Sequence, residues 1–568
     1  MSFRSALAAL SVGLTCSFTG AWGQTVASGR PLDAAAATIA ADGLWRDLRA
    51  LSADGMEGRG PGTTGEERAV AYLVERFKAL GLAPGNPDGR YVQDVPMIAF
   101  TGQAQARLRA GDRTFELAFA DDYVAVSRRG TPDAEVRDSP IVFVGYGVVA
   151  PELGWDDIKG IDLRGKTLLM LVGDPPVPDP TDPSRLDPAS FKGRAMTYYG
   201  RWTYKYEIAA RLGAAAVILV HEAGPAGYGW SVVRGSWTGE GYGLDAPEAL
   251  AAHAAVESWL TLERTHELLA ACGKSFEALK SAAVSRDFRP VPLAATASFV
   301  VHNRLRRFVS HNVVARLEGR DERGRDEVVV FSAHWDHLGH KPGRAGDDIV
   351  NGALDNGSGL ATLLGIAEAF TRLPQPPRRS VLFFAPTGEE SGLLGAAHYA
   401  AHPFWPVAAT VADLNMDMMN VWGRARGIVS IAQGMSTLDE LLAAEAARQG
   451  RVVLADPEPE KGYFYRSDHF ELAKRGVPAL HFLLPGAEYL GQPDDFAKRR
   501  RERYLAEDYH QPSDEVKADW DLAGTVEDAR LLFAVGHSLA DSEAVPEWKP
   551  GSEFAAARAA SRAPAARR

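Results

Sequence analysis

Cysteine is almost absent from this chain. Two occur in 568 residues, Cys16 and Cys272, and Cys16 falls in an N-terminal segment expected to be removed. The remainder has no partner for a disulfide, and no metal site can rest on thiolate. Any metal has to be held by His, Asp and Glu. A basic surface is also missing. The formal net charge is −11, and the one clear basic run, KRRRER at 498–503, reads as a solvated helix or loop, which argues against a nucleic-acid partner. Beyond the N-terminus no long uncharged apolar stretch occurs, so no membrane-spanning helix is expected. With 46% apolar and 24% charged residues, the chain is globular and long enough for more than one domain.

The first residues, MSFRSALAALSVGLTCSFTGAWGQ, place Arg4 before a short stretch rich in small apolar residues. Ala21-Trp22-Gly23 then suits a cleavage site before Gln24. Residues 1–23 are therefore expected to be a signal peptide. The protein is expected to be exported, periplasmic or secreted, with no stable membrane insertion after cleavage. Leu14-Thr15 before Cys16 does not resemble a lipobox.

In the stretch 63–85, Val70, Leu73, Val74, Phe77 and Leu80 recur at helical spacing. Thr64 and Glu67 suggest a capping box, and Gly81 a C-terminal cap. From about 130 to 300 the texture changes to short strands bounded by Gly and Pro, with a Pro/Asp-rich loop, and reads as a smaller β-rich domain. From about 310 to 540, strand and helix alternate: DEVVVFSA, GLATLLGIAEAF, SVLFFA, LLGAAHYAA, VAATVADLN, STLDELLAAEAARQ, VPALHFLL. That alternation predicts a three-layer α/β domain with a largely parallel sheet. The Ala/Arg-rich stretch 546–568 reads as a disordered tail.

In open α/β sheets function gathers beyond the carboxyl ends of the strands. His334, Trp335 and Asp336 follow DEVVVFSA, and Glu389 and Glu390 follow SVLFFA. Asp417 follows VADLNM, Asp355 precedes a predicted helix, and His510 lies in the loop YHQPSDE. Each alone has an ordinary reading, such as a core histidine, a helix N-cap or a loop acid. Together they are a nitrogen/oxygen donor set suited to zinc, cobalt or manganese, commonly as a pair with a bridging carboxylate. One further, unligated carboxylate is then needed to move a proton.

Six segments occur in order: HWDHLG (334–339), GALDNGSG (352–359), TGEESG (387–392), NMDM (415–418), RSDHF (466–470) and YHQPSD (509–514). Together they resemble the M28 family of zinc metallopeptidases, mostly aminopeptidases. MEGRGPGTTGEERAVAYL resembles that family's N-terminal segment, and 130–300 resembles the protease-associated domain inserted in some members. The resemblance implies a catalytic domain from residues 24–129 and 301–545 around the insert. It implies two Zn2+, with Co2+ or Mn2+ as substitutes. His334 and Asp417 would hold one ion, Glu390 and His510 the other, and Asp355 would bridge. A metal-bridging water would be the nucleophile and Glu389 the general base. Asp336 would orient the His334 ring, and Tyr509 would stabilise the oxyanion.

His337 and His340 are expected to be structural or solvent-facing, Asp347 and Asp348 loop acids, and Trp335 wall or core. Asp468 and His469 are expected to support the site, and Tyr463, Phe464, Tyr465 and Arg466 to line a substrate pocket. The substrate is expected to be a peptide; the oligomeric state is left open. The alternative is a carboxypeptidase or dipeptidase of the same fold, which needs a cationic pocket from Arg466 or from a basic residue of the inserted domain. A binding protein that has lost its ligands, or a single-zinc cyclase, fits less well, because every ligand position is filled.

Overall fold

The computed structural model describes residues 30–563 apart from 342–345, 433 and 484–485. The helix expected over 63–85 runs Thr64–Ala79 (α1). Its cap is Thr63, one residue earlier than expected, with Oγ1 accepting the Gly65 N–H at 3.1 Å. Glu66, not Glu67, completes the turn by accepting the Gly62 N–H. Gly81 follows the helix at φ 74°, where the left-handed conformation suits glycine.

The main sheet is built from β1 (Val92–Ala110), β2 (Val291–Leu317), β3 (Val328–Ser332), β4 (Ser380–Ala385), β5 (Thr410–Asp417) and β6 (Ala479–Leu483). Its order is β6-β5-β3-β4-β2. Contacts from β6 through β4 are parallel, and β2 closes the row antiparallel to β4. Strand residues alternate between two cores, as period-two geometry requires. Val329 and Phe331 face α1, α2 (Ser358–Thr371) and α3 (Ala523–Ala540), while Val328 and Val330 face the helix Leu394–Ala401. This is the expected three-layer α/β arrangement with a mostly parallel sheet. All the parallel strands point the same way, so their carboxyl ends share one edge.

β1 and β2 are far longer than an ordinary strand. They pair antiparallel from Val92–Val313 to Ala110–Ala295 and carry the chain out into the second unit. That unit's core takes in Ala104 to Tyr123 as well as Val136 to Val301. Its edge therefore lies upstream of the expected 130, because a continuous strand shows no break in sequence texture at the boundary. The unit is also less purely β than expected. Strands Asp133–Phe143, Thr167–Met170, Ala216–His221 and Val256–Thr261 run parallel, with helices such as Trp202–Arg211 packed on them.

The stretch 546–563, expected to be a disordered tail, is ordered. Trp548 and Phe554 are buried with rings 4.9 Å apart. The helix Ala555–Arg562 follows, and its Arg558 Nη1 donates to the Thr410 carbonyl at 3.0 Å. Two aromatics and one buried arginine anchor what composition alone makes look unstructured. Residues 564–568 lie outside the described residues.

Candidate metal centre

The loop after β3 carries His334, fully buried. Its Nδ1 donates to the Asp336 backbone carbonyl at 3.1 Å, and since a carbonyl only accepts, this puts a proton on Nδ1 and turns Nε2 toward the carboxylates as the atom available to a metal. The Asp336 carboxylate is farther from that ring, at 3.9 Å, and instead accepts the Glu389 N–H at 3.1 Å. The expected contact from the Asp336 carboxylate to the His334 ring is thus made by its main chain. The side chain holds the Glu389–Glu390 turn.

That turn is anchored from below. The Thr387 N–H donates to Asn312 Oδ1 at 3.0 Å, and the Thr387 and Ser310 hydroxyls lie 2.6 Å apart. Gly388, at φ 66°, supplies the reversal that brings both following glutamates to the strand-end edge.

Asp355 sits between the two outer histidines. Its Oδ1 is 3.4 Å from His334 Nε2 and its Oδ2 is 3.3 Å from His510 Nε2. Asp417 Oδ1 lies 3.6 Å from His334 Nε2, and Glu390 Oε2 3.0 Å from His510 Nε2. Glu389 Oε2 is more distant, 4.0 Å from His334 Nε2. The donors fall into three overlapping groups, His334–Asp355–Asp417, His337–Asp355–Glu390 and His334–Glu389–Glu390, with Asp355 common to the first two.

These residues fit metal ions. Zinc–ligand bonds of about 2.0–2.2 Å at tetrahedral angles put ligand atoms about 3.4 Å apart, close to the separations just given. Nε2 of His334, His337 and His510 and Oδ1 of Asp417 are buried without any hydrogen-bond partner. Orphaned polar atoms converging on one spot ask for a ligand.

The electrostatics of the metal-free cluster agree. Burial lowers the His334 imidazole, but Glu389, Asp355 and Asp417 together hold it well above its ordinary value. Burial is likewise outweighed at His510, where Glu390 and Asp355 hold the ring at about 10. Burial alone would raise Asp355, yet the His334 and His510 imidazoles beside its two oxygens keep it well below the carboxylate range. Glu389 goes the other way. Burial raises it; His334 opposes, and Glu390 and Asp417 add to the rise. Adjacent glutamates thus differ, Glu390 low and Glu389 high.

Several contributors escaped sequence reasoning. His337, expected to be structural or solvent-facing, is fully buried with Nδ1 2.5 Å from Glu390 Oε1, so two imidazoles grip Glu390. Asp514, within YHQPSD but given no role, accepts the Leu354 and Asp355 N–H groups at 3.0 and 3.1 Å. Arg59 is wholly buried and donates to the carbonyls of Leu51, Trp335, Asn351 and Gly352, tying the N-terminal loop to the loops that carry His334 and Asp355. Asn356 links the Asp355 loop to the end of β5 through Met416 O at 2.9 Å.

Other expectations fall variously. Tyr509 stacks on the His510 ring with centroids 3.8 Å apart. Trp335 is core. Asp468 is buried near Asp417 with both oxygens unpartnered, and His469 stacks on His481 at 4.5 Å. Phe464 and Tyr465, expected at the pocket wall, are buried in a hydrophobic core with Trp548 and Phe554; Tyr463 and Arg466 keep exposed surface. His340 pairs with Asp348 at the surface, away from the cluster.

Residues 312–534 match the profile of Peptidase family M28. A vacuolar membrane protease of Clavispora lusitaniae is 30% identical over 21% of this chain and 10% of its own length. Mouse aminopeptidase NAALADL1 is 31% identical over 24% of this chain and 18% of its own. The chain thus spans under a fifth of the length of these curated relatives. A solved aminopeptidase from Aneurinibacillus sp. strain AM-1 aligns over 92% of this chain and 97% of its own at 18% identity and a TM-score of 0.46. The expected periplasmic or secreted location is corrected by these comparisons. Curated relatives from several fungi are named for the vacuolar membrane, and residues 1–23, which carried the expectation, lie outside the described residues. Among the described residues no helix is long and apolar enough to cross a membrane.

Proposed function

We propose, from the premise that this chain belongs to peptidase family M28, that it is a two-zinc exopeptidase removing N-terminal amino acids from peptides. The observation that carries this reading is the Asp355 carboxylate, with one oxygen toward each outer histidine and orphaned imidazole nitrogens on both sides. His334 and Asp417 would hold one ion, Glu390 and His510 the other, with Asp355 shared; cobalt or manganese suits the same donors. Zinc, when bound, supplies Lewis acidity and lowers the pKa of bound water.

The chain's own residues do the rest. Glu389, close to the ligand atoms yet outside both groups that share Asp355, takes the proton of the attacking water and returns it to the leaving amine. The Asp336 carboxylate fixes the Glu389 main chain. The Tyr509 hydroxyl serves the developing oxyanion. The excess of carboxylates suits the ammonium group of a free peptide N-terminus. The inserted unit is read as a protease-associated domain.

Aminoacyl-anilides compared with their N-acetylated counterparts test the specificity. Free-amine substrates are expected to show kcat/KM higher by at least about 100-fold, because a site that pairs the ammonium group leaves its carboxylates unpaired with a blocked one. Equal cleavage of N-blocked peptides would overturn the aminopeptidase reading in favour of a carboxypeptidase or dipeptidase.

A further inference from the structure

A cavity of about 300 Å³ lies beside the metal centre but apart from it. Among the described residues, none of the metal donors lines it. Leu354 and Asp514 form one wall, and Asp514 accepts the Leu354 and Asp355 N–H groups at 3.0 and 3.1 Å. Tyr504 is a second wall residue. Its hydroxyl donates to Asp514 at 3.2 Å, and its ring lies 6.0 Å from Tyr509, which stacks on His510. A molecule in the cavity would therefore meet the residues that hold the metal-site loops, rather than the metal donors themselves.

The volume is at the lower end of the range for small-molecule sites, room for one amino acid rather than a longer peptide. The remaining walls supply three kinds of surface. Trp422 and Trp520 are aromatic, Arg500 and Lys517 basic, and Asp508 and Asp519 acidic. These charges are paired, but only in part. Arg500, on the helix Phe496–Glu507, uses Nη1 on Asp519 at 2.6 Å and sets its guanidinium 5.6 Å from the Trp422 ring centre. Among the described residues its Nε and Nη2 make no hydrogen bond. Lys517 Nζ donates to Asp508 Oδ1 at 3.2 Å. Both cations keep solvent contact, with side chains 21% and 34% exposed, so exchanging part of such a pair for a ligand costs little.

A simple anion in this cavity would face the aspartates, and a simple cation the arginine and lysine. A zwitterion satisfies both. Its carboxylate accepts from Arg500 and Lys517, its ammonium donates to Asp508 or Asp519, and an apolar side chain covers the tryptophans.

We propose that this cavity is a second site, binding one free amino acid with an apolar side chain, and that its occupant acts on the metal centre through Asp514. That free amino acids are the product class rests on the exopeptidase reading; their binding here does not.

Calorimetry on the zinc-loaded full chain tests the site, with L-leucine, L-leucinol (no carboxylate) and isocaproate (no ammonium) as probes. Ala518→Trp fills the cavity from an exposed wall position, and binding at the metals survives it. The binding that Ala518→Trp removes is the cavity's. That component is expected to be at least about tenfold weaker for L-leucinol and for isocaproate than for L-leucine, the strength of a charge-assisted contact. Arg500→Met is expected to weaken L-leucine by a similar factor, and carries the test should Ala518→Trp fail to fold. Binding of L-leucine unchanged in the variants, or equal binding of all three probes, overturns the site.

Kinetics on an aminoacyl-anilide test the action on the centre. A competitor at the metals raises KM alone. L-Leucine is expected to change kcat at least about twofold in the parent and to leave it unchanged in Ala518→Trp. A parental kcat unmoved by saturating L-leucine overturns the coupling through Asp514. If no peptide is cleaved, the exopeptidase reading fails, and calorimetry still decides whether the cavity binds an amino acid.

Discussion

Replacing Glu389 with glutamine is expected to lower kcat by about 10²–10⁴-fold, the contribution of a positioned general base, while the protein still binds its metal ions. The expectation follows from an asymmetry between neighbours. Glu390 has one oxygen 3.0 Å from His510 and the other 2.5 Å from His337, so its carboxylate is committed. Glu389 approaches His334 no closer than 4.0 Å, and its backbone is pinned by Asp336. Burial holds its carboxyl well above the ordinary range against the pull of His334, the direction that suits a group exchanging protons near neutrality. Glutamine keeps the shape and removes the basicity. Metal content by elemental analysis and kcat on an aminoacyl-anilide read the two properties separately. A variant that turns over at the parental rate contradicts the assignment.

Replacing Asp355 with alanine is expected to remove metal and activity together. It is the one carboxylate with an oxygen within 3.4 Å of each outer histidine, so its loss weakens both positions. The fall in zinc affinity should exceed the roughly 10–100-fold that loss of an outer hydrogen-bond partner costs. The variant also leaves the protonated His334 and His510 of the metal-free protein facing fewer carboxylates. Zinc titration with a competing chelator measures the affinity. Retention of two ions at parental affinity would refute the bridging role.

How far these arguments were legible in sequence depends on where each partner lies. The candidate metal-binding residues stood out because strand-ending motifs such as FSAHWD and FFAPTGEE combine a buried apolar run with polar residues at its carboxyl end. The α/β layering was legible from the alternation that produced β3, α2, β4 and β5. Roles that depend on distant partners were hidden. Asp336 acts on Glu389, 53 residues on, and Asp514 on Asp355, 159 residues back. His337 looks like a spare histidine until Glu390 folds against it. The start of the second unit was masked by β1 running unbroken across it, and the order of 546–563 by alanine-rich composition around Trp548 and Phe554.

The most direct test of the two-metal reading is the zinc stoichiometry of the parent protein. Stripped protein titrated with zinc is expected to bind two ions per chain, with activity recovering as the pair fills. Saturation at one ion, or activity that survives complete removal of metal, would contradict it.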